Sequence, residues 1–158
     1  MSDDHIIRAW NMMDKISTCF LITWDGEKQR ARPMSAVVRP AEHAIYMLTD
    51  EHREKVDEIE QYHEVILAFG DTHGQKYVAV NGRAVVMNDR AKIKELWSPF
   101  AKAWWDSPED PTIRVLKVIP DEAEIWDSPG TLIATVTMLA AAATGKRPDV
   151  GDNRKVAL

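Results

Sequence analysis

Apolar and polar positions along the chain alternate in two rhythms, one helical and one extended. Ser2 opens a first helix with Asp3 and Asp4 at its positive end, and Ile6, Trp10, Met13 and Ile16 recur at helical spacing. The pattern then changes to the β-rich run Thr18-Cys-Phe-Leu-Ile-Thr-Trp24, a turn at Asp25-Gly26, and a strand from Glu27 to Arg39. Residues 44–49 and 64–69 read as further strands, with a helix from Asp50, its expected cap, to about Gln61. Gln75 to Met87 reads as one long strand, and the mid-strand Gly82 marks a bulge or bend. A helix starts at Asn88-Asp89, with Ile93, Leu96, Trp97 and Phe100 as its stripe, and Ser98-Pro99 interrupts it. A loop over 104–111 precedes strands at 112–119 and 121–126. A small-residue helix then runs from Gly130 to Thr144, ahead of a polar tail.

These elements predict a mainly β (α+β) fold: a six- to seven-stranded antiparallel barrel with flanking helices. Strict β-α-β alternation, which a doubly wound sheet needs, is missing. One domain spanning 1–158 is expected, with a barrel core at about 16–127 and a C-terminal helix and tail at 129–158.

The strand 27–39 carries the first candidate chemistry. Arg30, Arg32, Met34 and Ala36 share one side-chain direction; Ala31, Pro33, Ser35 and Val37 share the other. Pro33 has no N–H for a ladder, which implies an edge, a bulge or a gap in pairing. Arg32 therefore offers a fixed cation next to main chain partly free of the sheet. That suits a planar anionic ligand, with phosphate on Arg32 and a ring edge along Met34 and Ser35. An edge strand with solvated arginines fits the same residues. Arg53 and Lys55 form the second candidate. Cations in the first turns of a helix oppose its dipole, and a bound phosphate would offset that cost. A solvated charge run with Glu51, Glu54, Asp57, Glu58 and Glu60 is the competing reading.

Composition narrows the classes. The 158 residues are 45% hydrophobic, enough for a core, and the net charge of −5 gives no reason to expect nucleic acid. No signal-peptide pattern and no membrane-length apolar stretch is present, so a cytoplasmic protein is expected. Cys19, the only cysteine, lies in an apolar run and reads as a core residue. His5, His43, His52, His63 and His73 lack metal-binding spacing. Gly-rich phosphate loops and a nucleophile elbow are absent. No side-chain nucleophile or general base stands out, so any catalysis would draw on a cofactor. Four of the six tryptophans fall between 97 and 126.

Several stretches in order carry a family likeness: Arg32-Pro-Met; Ile45-Tyr-Met-Leu-Thr-Asp50; Lys55-Val-x-Glu-Ile59; Tyr77-Val-Ala-Val-x-Gly82; Asp89-Arg-Ala-Lys-Ile-Lys-x-Leu-Trp97; Lys102-Ala-Trp104; Asp110-Pro-x-Ile113; and Ala123-Glu-x-Trp126-Asp127. Over roughly residues 5–130 the chain resembles the general stress protein 26 group of the pyridoxamine 5′-phosphate oxidase-like superfamily, the flavin-binding split β-barrels. The resemblance implies a homodimer with FMN at the subunit interface. It implies Arg32 and Lys55 on the phosphate, Thr49 and Asp50 near it, and Pro33, Met34 and Ser35 along the isoalloxazine edge. Trp104 and Trp126, with Trp97 and Trp105, would close over the ring or form dimer core. An FMN-dependent oxidoreductase acting on an unidentified small molecule is the expected activity. A non-catalytic flavin carrier or redox sensor, and a barrel holding haem or F420, are the alternatives.

The chain also departs from its relatives. Trp104-Trp105-Asp-Ser-Pro108 stands where many carry Trp-Phe-Pro-x-Gly, and His52-Arg53 where the true oxidases have Ser-Arg-Lys. The Arg-x-His substrate element of those oxidases is missing. Oxidation of pyridoxamine phosphate is therefore not expected.

Overall fold

A computed structural model describes residues 2–128, 131–148 and 151–158. Helix α1 (Ser2–Ile16) leads into β1 (Thr18–Trp24), β2 (Gln29–Ser35), β3 (Val37–Arg39) and β4 (Ala44–Asp50). Then come α2 (Glu54–Gln61), β5 (Glu64–Asp71), β6 (Lys76–Met87), α3 (Arg90–Leu96) and β7 (Ile113–Asp127). The chain closes with α4 (Thr131–Thr144) and β8 (Asp152–Ala157). All described strand pairs are antiparallel, in the order β2-β1-β5-β6-β7-β4-β3, with β8 added on β7.

The two ends of that order, β2 and β3, are consecutive in the chain. The predicted strand 27–39 is thus two strands joined at Ala36, whose N–H donates to Ser17 O at 2.8 Å. Its first half pairs with β1 and its second half with β4. The sheet curls back on itself through this one stretch, which makes the barrel a split one. Pro33 sits on the half of the strand that pairs only with β1, so its missing N–H costs no ladder bond to a second neighbour.

Among the described residues, eight strands replace the expected six or seven, for two reasons. The split of 27–39 adds one. The tail adds another: Asp152–Ala157 pairs with Glu122–Asp127. Its polar composition hid it, because an edge strand with one solvated face needs few apolar residues. In the opposite direction, 112–119 and 121–126 merge into the single β7. Pro120 falls opposite Gly82, where the register already shifts, so its missing donor falls where the ladder is broken. A Cβ on Gly82 would lie 2.7 Å from Ile119 O, so the bulge requires glycine's bare backbone.

The main core lies inside the barrel and under α1. Ala9, Trp10 and Met13 of the helix meet Leu21, Leu67, Val80, Leu116 and Ile125. A second, smaller core packs α3 and the half-buried Trp97 and Trp105 against Tyr46, Ile113 and Val115. Cys19 is buried as expected, and burial pushes its thiol up to about 12. The α3 stripe is shorter than predicted: the helix stops at Leu96, and Phe100 stands 84% exposed. Asp50 ends β4 instead of capping α2. Its carboxylate accepts the His52 N–H, and the turn to the helix begins with Arg53 N donating to Asp50 O at 3.1 Å. The expected start of the last helix, Pro129-Gly130, lies outside the described residues.

Candidate functional site

The site begins with alternation in β1. Cys19, Leu21 and Thr23 point into the barrel, and a directly opposed residue points the same way. Leu21 faces Arg32 across the ladder, so Arg32 turns inward at the barrel's rim. There its guanidinium donates to Thr23 Oγ1 at 2.8 Å and to Glu58 Oε2 at 2.9 Å, while the Thr23 hydroxyl donates to the same carboxylate. Glu58 is 9% exposed and Thr23 2%. A carboxylate this deep is held by the charge-assisted bond from Arg32 together with the Thr23 hydroxyl.

Glu58 reaches this position from α2, and Lys55 lies three residues earlier on the same helix surface. The helix starts at Arg53 with no side chain capping its first N–H groups. Those donors carry the positive end of the helix dipole. Lys55 is half-buried, and no described residue forms a hydrogen bond or ion pair with it. Burial lowers its pKa first. The like charges of Arg32 and Arg53 lower it further, against the pull of Glu58 and Asp50. One buried hydroxyl close by in sequence also lacks a partner: Thr49 Oγ1, at the end of β4.

The Arg32–Glu58 pair is electrically satisfied, whereas Lys55, Arg53 and the uncapped N–H groups are not. Lys55 and Arg53, which have no ion-pair partner among the described residues, form with the helix start a cationic group, on which Asp50 and Glu58 act as the nearby carboxylates. A phosphate monoester, a dianion near neutral pH, matches it. The donor set therefore fits the phosphate end of a nucleotide such as FMN.

The other predicted residues divide into groups. Asp50 accepts from His52 N at 2.9 Å, and with Thr112 and Trp105 beside it, its carboxyl is held below the usual range. That carboxylate shapes the turn, and it borders the cation group electrostatically. Met34 faces inward onto the main core, while Pro33 and Ser35 project from the outer side of β2. Trp104 is 73% exposed on the loop after α3, which Trp105 anchors next to Asp50. Trp126 lies near the far end of β7, opposite Tyr77 of β6. The four late tryptophans therefore form no single group within one chain: Trp97 and Trp105 belong to the second core, and Trp126 stands 13 residues along β7 from Ile113, roughly 40 Å at 3.3 Å per residue.

Sequence reasoning missed Thr23 and Glu58. Thr23 was visible in principle as a polar residue on the inward phase of β1. Glu58 was not, because five carboxylates surround it in the α2 region and only the tertiary approach of Arg32 singles it out. Among the described residues, no group of His, Cys, Asp and Glu is arranged to hold a metal ion. No described helix is long and apolar enough to cross a membrane.

Residues 4–149 match the family model described as pyridoxamine 5′-phosphate oxidase like. The chain belongs to this family. The curated general stress protein 26 of Bacillus subtilis (strain 168) is 28% identical over 87 residues. That match spans 53% of this chain and 62% of the relative, less than two thirds of its length. A crystal structure of a candidate general stress protein 26 from Jannaschia sp. CCS1 superposes with a TM-score of 0.82 at 23% identity, covering 100% of both chains. The general stress FMN/FAD binding protein of Xanthomonas citri superposes with a TM-score of 0.67 at 25% identity, over 76% of this chain and 86% of that one. Family members of this group thus share the split barrel, and the strand that closes the barrel here is also the one that supplies Arg32.

Proposed function

We propose that the protein binds FMN at a homodimer interface and works as a flavin-dependent oxidoreductase of the stress-protein type. The observation that carries the flavin reading is Lys55: a half-buried ammonium without a protein partner, next to two further cations and an uncapped helix start. In this reading Arg32 and Lys55 hold the phosphate, with the α2 N–H groups and the Thr49 hydroxyl as further donors. The main chain of Pro33, Met34 and Ser35 follows the ring edge. Bound FMN supplies the hydride or electron chemistry, and the residues supply position and a dry setting. Glu58 holds the Arg32 fork at the rim. Trp104, on the loop after α3, and Trp126, near the far end of β7, serve a common ring through two subunits.

Dimerisation is supported by the outer face of the sheet. Pro33 pairs with Phe20, Phe20 with Ala68, and Ala68 with Ala79; Tyr77 pairs with Trp126. Phe20 is 51% exposed, and Trp24, Tyr77 and Trp126 are also exposed. The apolar part of this face runs over β2, β1, β5 and β6 and is bordered on β7 by Glu124 and Glu122, opposite Ala79 and Asn81; an apolar patch rimmed by polar residues marks an interaction surface. The Xanthomonas citri relative, named as an FMN/FAD binding protein, supports the choice of flavin.

The direct test adds FMN, desalts and records the visible spectrum. One retained FMN per chain is expected; a colourless protein overturns the reading, and a Soret band replaces flavin with haem. Lys55→Ala is expected to weaken FMN about 10- to 100-fold, the equivalent of one charge-assisted contact. Folding stability should hold or rise, because the change removes a desolvated charge facing like charges. The pH dependence has a definite sign. The folded pKa of Lys55 lies below the ordinary lysine value, so between the two the unfolded chain holds more protons and the free protein gains stability as pH rises. FMN affinity should fall over the alkaline range in which Lys55 loses its proton. A Lys55→Ala protein with wild-type affinity, or an affinity insensitive to alkaline pH, would remove Lys55 from the phosphate site.

A further inference from the structure

Helix α4 is the one described helix whose surroundings in the chain do not account for it. Residues 131–144 contain no charged side chain, and none of the described side chains in the helix is buried. Ile133, Val136, Met138 and Leu139 are 50–67% exposed. A helix that is apolar all round belongs in an interior, and 14 residues are marginal as a free helix in water.

Its stem, by contrast, is firmly built. The chain leaves the sheet at Asp127 and returns at Asp152, which are paired with each other. Arg8 of α1 bridges them, donating to Asp127 at 2.7 Å and to Asp152 at 3.1 Å. Lys76 bonds Asp127, and Ser128 Oγ donates to Gln75 O at 3.0 Å. Gly151 lies at φ +125, where a Cβ would come within 2.5 Å of Asp127 O. A hydrogen-bonded stem in the sheet and an uncovered apolar helix between its two strands are the parts of an arm.

We propose that α4 is a dimerisation arm that packs on the outer sheet face of a second copy of this chain. The inference rests on the homodimer reading above. Two features favour a second copy as the occupant. The helix is apolar and so is the face over β2, β1, β5 and β6, and the two lie at the same end of the sheet: Trp126 and its neighbour Tyr77 adjoin the stem. Area supplies the second argument. Four strands, β2, β1, β5 and β6, at about 4.8 Å and six residues deep give the apolar part of the face a footprint of roughly 380 Å². The helix, about 21 Å long and 10 Å wide, adds roughly 200 Å². A stable dimer buries about 800 Å² per partner, so the face alone covers under half of that and the helix raises the share to roughly three quarters.

Full-length Leu139→Glu and the milder Val136→Gln would be compared with wild type by sedimentation velocity over a dilution series, with circular dichroism as the folding control. Both positions are exposed in the single chain, so both variants should fold. A dimer dissociation constant raised at least 10-fold by Leu139→Glu, and less by Val136→Gln, is the expected result. A wild-type dimer unmoved by either variant would overturn the arm and leave the dimer intact. A wild-type monomer would overturn the dimer reading, and the arm with it. Co-sedimentation of wild type, but not of Leu139→Glu, with phosphatidylcholine–phosphatidylglycerol vesicles, at unchanged oligomeric state, would assign α4 to a lipid surface and also overturn the proposal.

Discussion

Arg32→Ala is expected to abolish FMN retention and to lower folding stability by about 2–3 kcal/mol, because the residue serves two partners. Removing the guanidinium leaves Glu58 buried with the Thr23 hydroxyl as its remaining described partner. An unpaired buried carboxylate is costly, though Arg32 is about one-fifth exposed and water will relieve part of that cost. The two effects separate in a double variant. Arg32→Ala with Glu58→Gln removes both charges, so most of the stability should return while FMN binding should not. Arg32→Lys keeps a charge but loses the two-pronged fork, and is expected to fall between wild type and alanine in affinity. Urea unfolding and flavin titration measure the two quantities on the same samples. If the double variant recovered FMN binding, Arg32 would act only as Glu58's counter-ion and the phosphate assignment would pass to Lys55 and Arg53. Lys55→Ala gives the opposite pattern: affinity lost with stability kept. The contrast between two cations of one site follows from their partners, since one is paired inside the protein and the other is not.

Local features of the fold were readable from the sequence where one residue type allows few conformations. Gly82 marked the bulge, and Pro33 the edge half of its strand. Features that depend on pairing over distance were not readable. The division of 27–39 at Ala36 depends on which strands lie on either side, and β8 depends on the exposed edge of β7. The site shows the same division. Arg32 and Lys55 could be singled out because of their local settings, a cation beside a proline on an edge strand and a cation at a helix start. Glu58 was hidden because the cation that holds it, Arg32, lies 26 residues away in the chain. The tryptophans misled for a related reason: closeness in sequence between 97 and 126 is undone by a 15-residue strand that carries Trp126 to the other end of the sheet.

Gly82→Ala is expected to destabilise the fold by about 2–4 kcal/mol, one of the largest single-residue effects in the molecule. The added methyl would lie 2.7 Å from Ile119 O, 3.0 Å from Val118 Cγ1 and 3.2 Å from Pro120 Cα. Two of these are backbone atoms of β7, which pairs with β6, β4 and β8 and so has little freedom to retreat. For a chain of this length the loss corresponds to a fall in Tm of roughly 5–15 °C. Gly70→Ala is the matched control: its nearest contact is 3.3 Å from the Tyr77 ring, a side chain that can turn aside, and its cost should stay below about 1 kcal/mol. The bulge also bears on function. Gly82 faces Val65, and just beyond it Ala84 N–H donates to His63 O at 2.8 Å, which ties β6 to the exit of α2. Shifting β6 against β7 therefore displaces the helix that carries Lys55 and Glu58. A folded Gly82→Ala protein should consequently bind FMN more weakly than Gly70→Ala at temperatures well below either melting point. Equal stability of the two glycine variants would mean that the bulge yields easily, and that the placement of α2 does not depend on it.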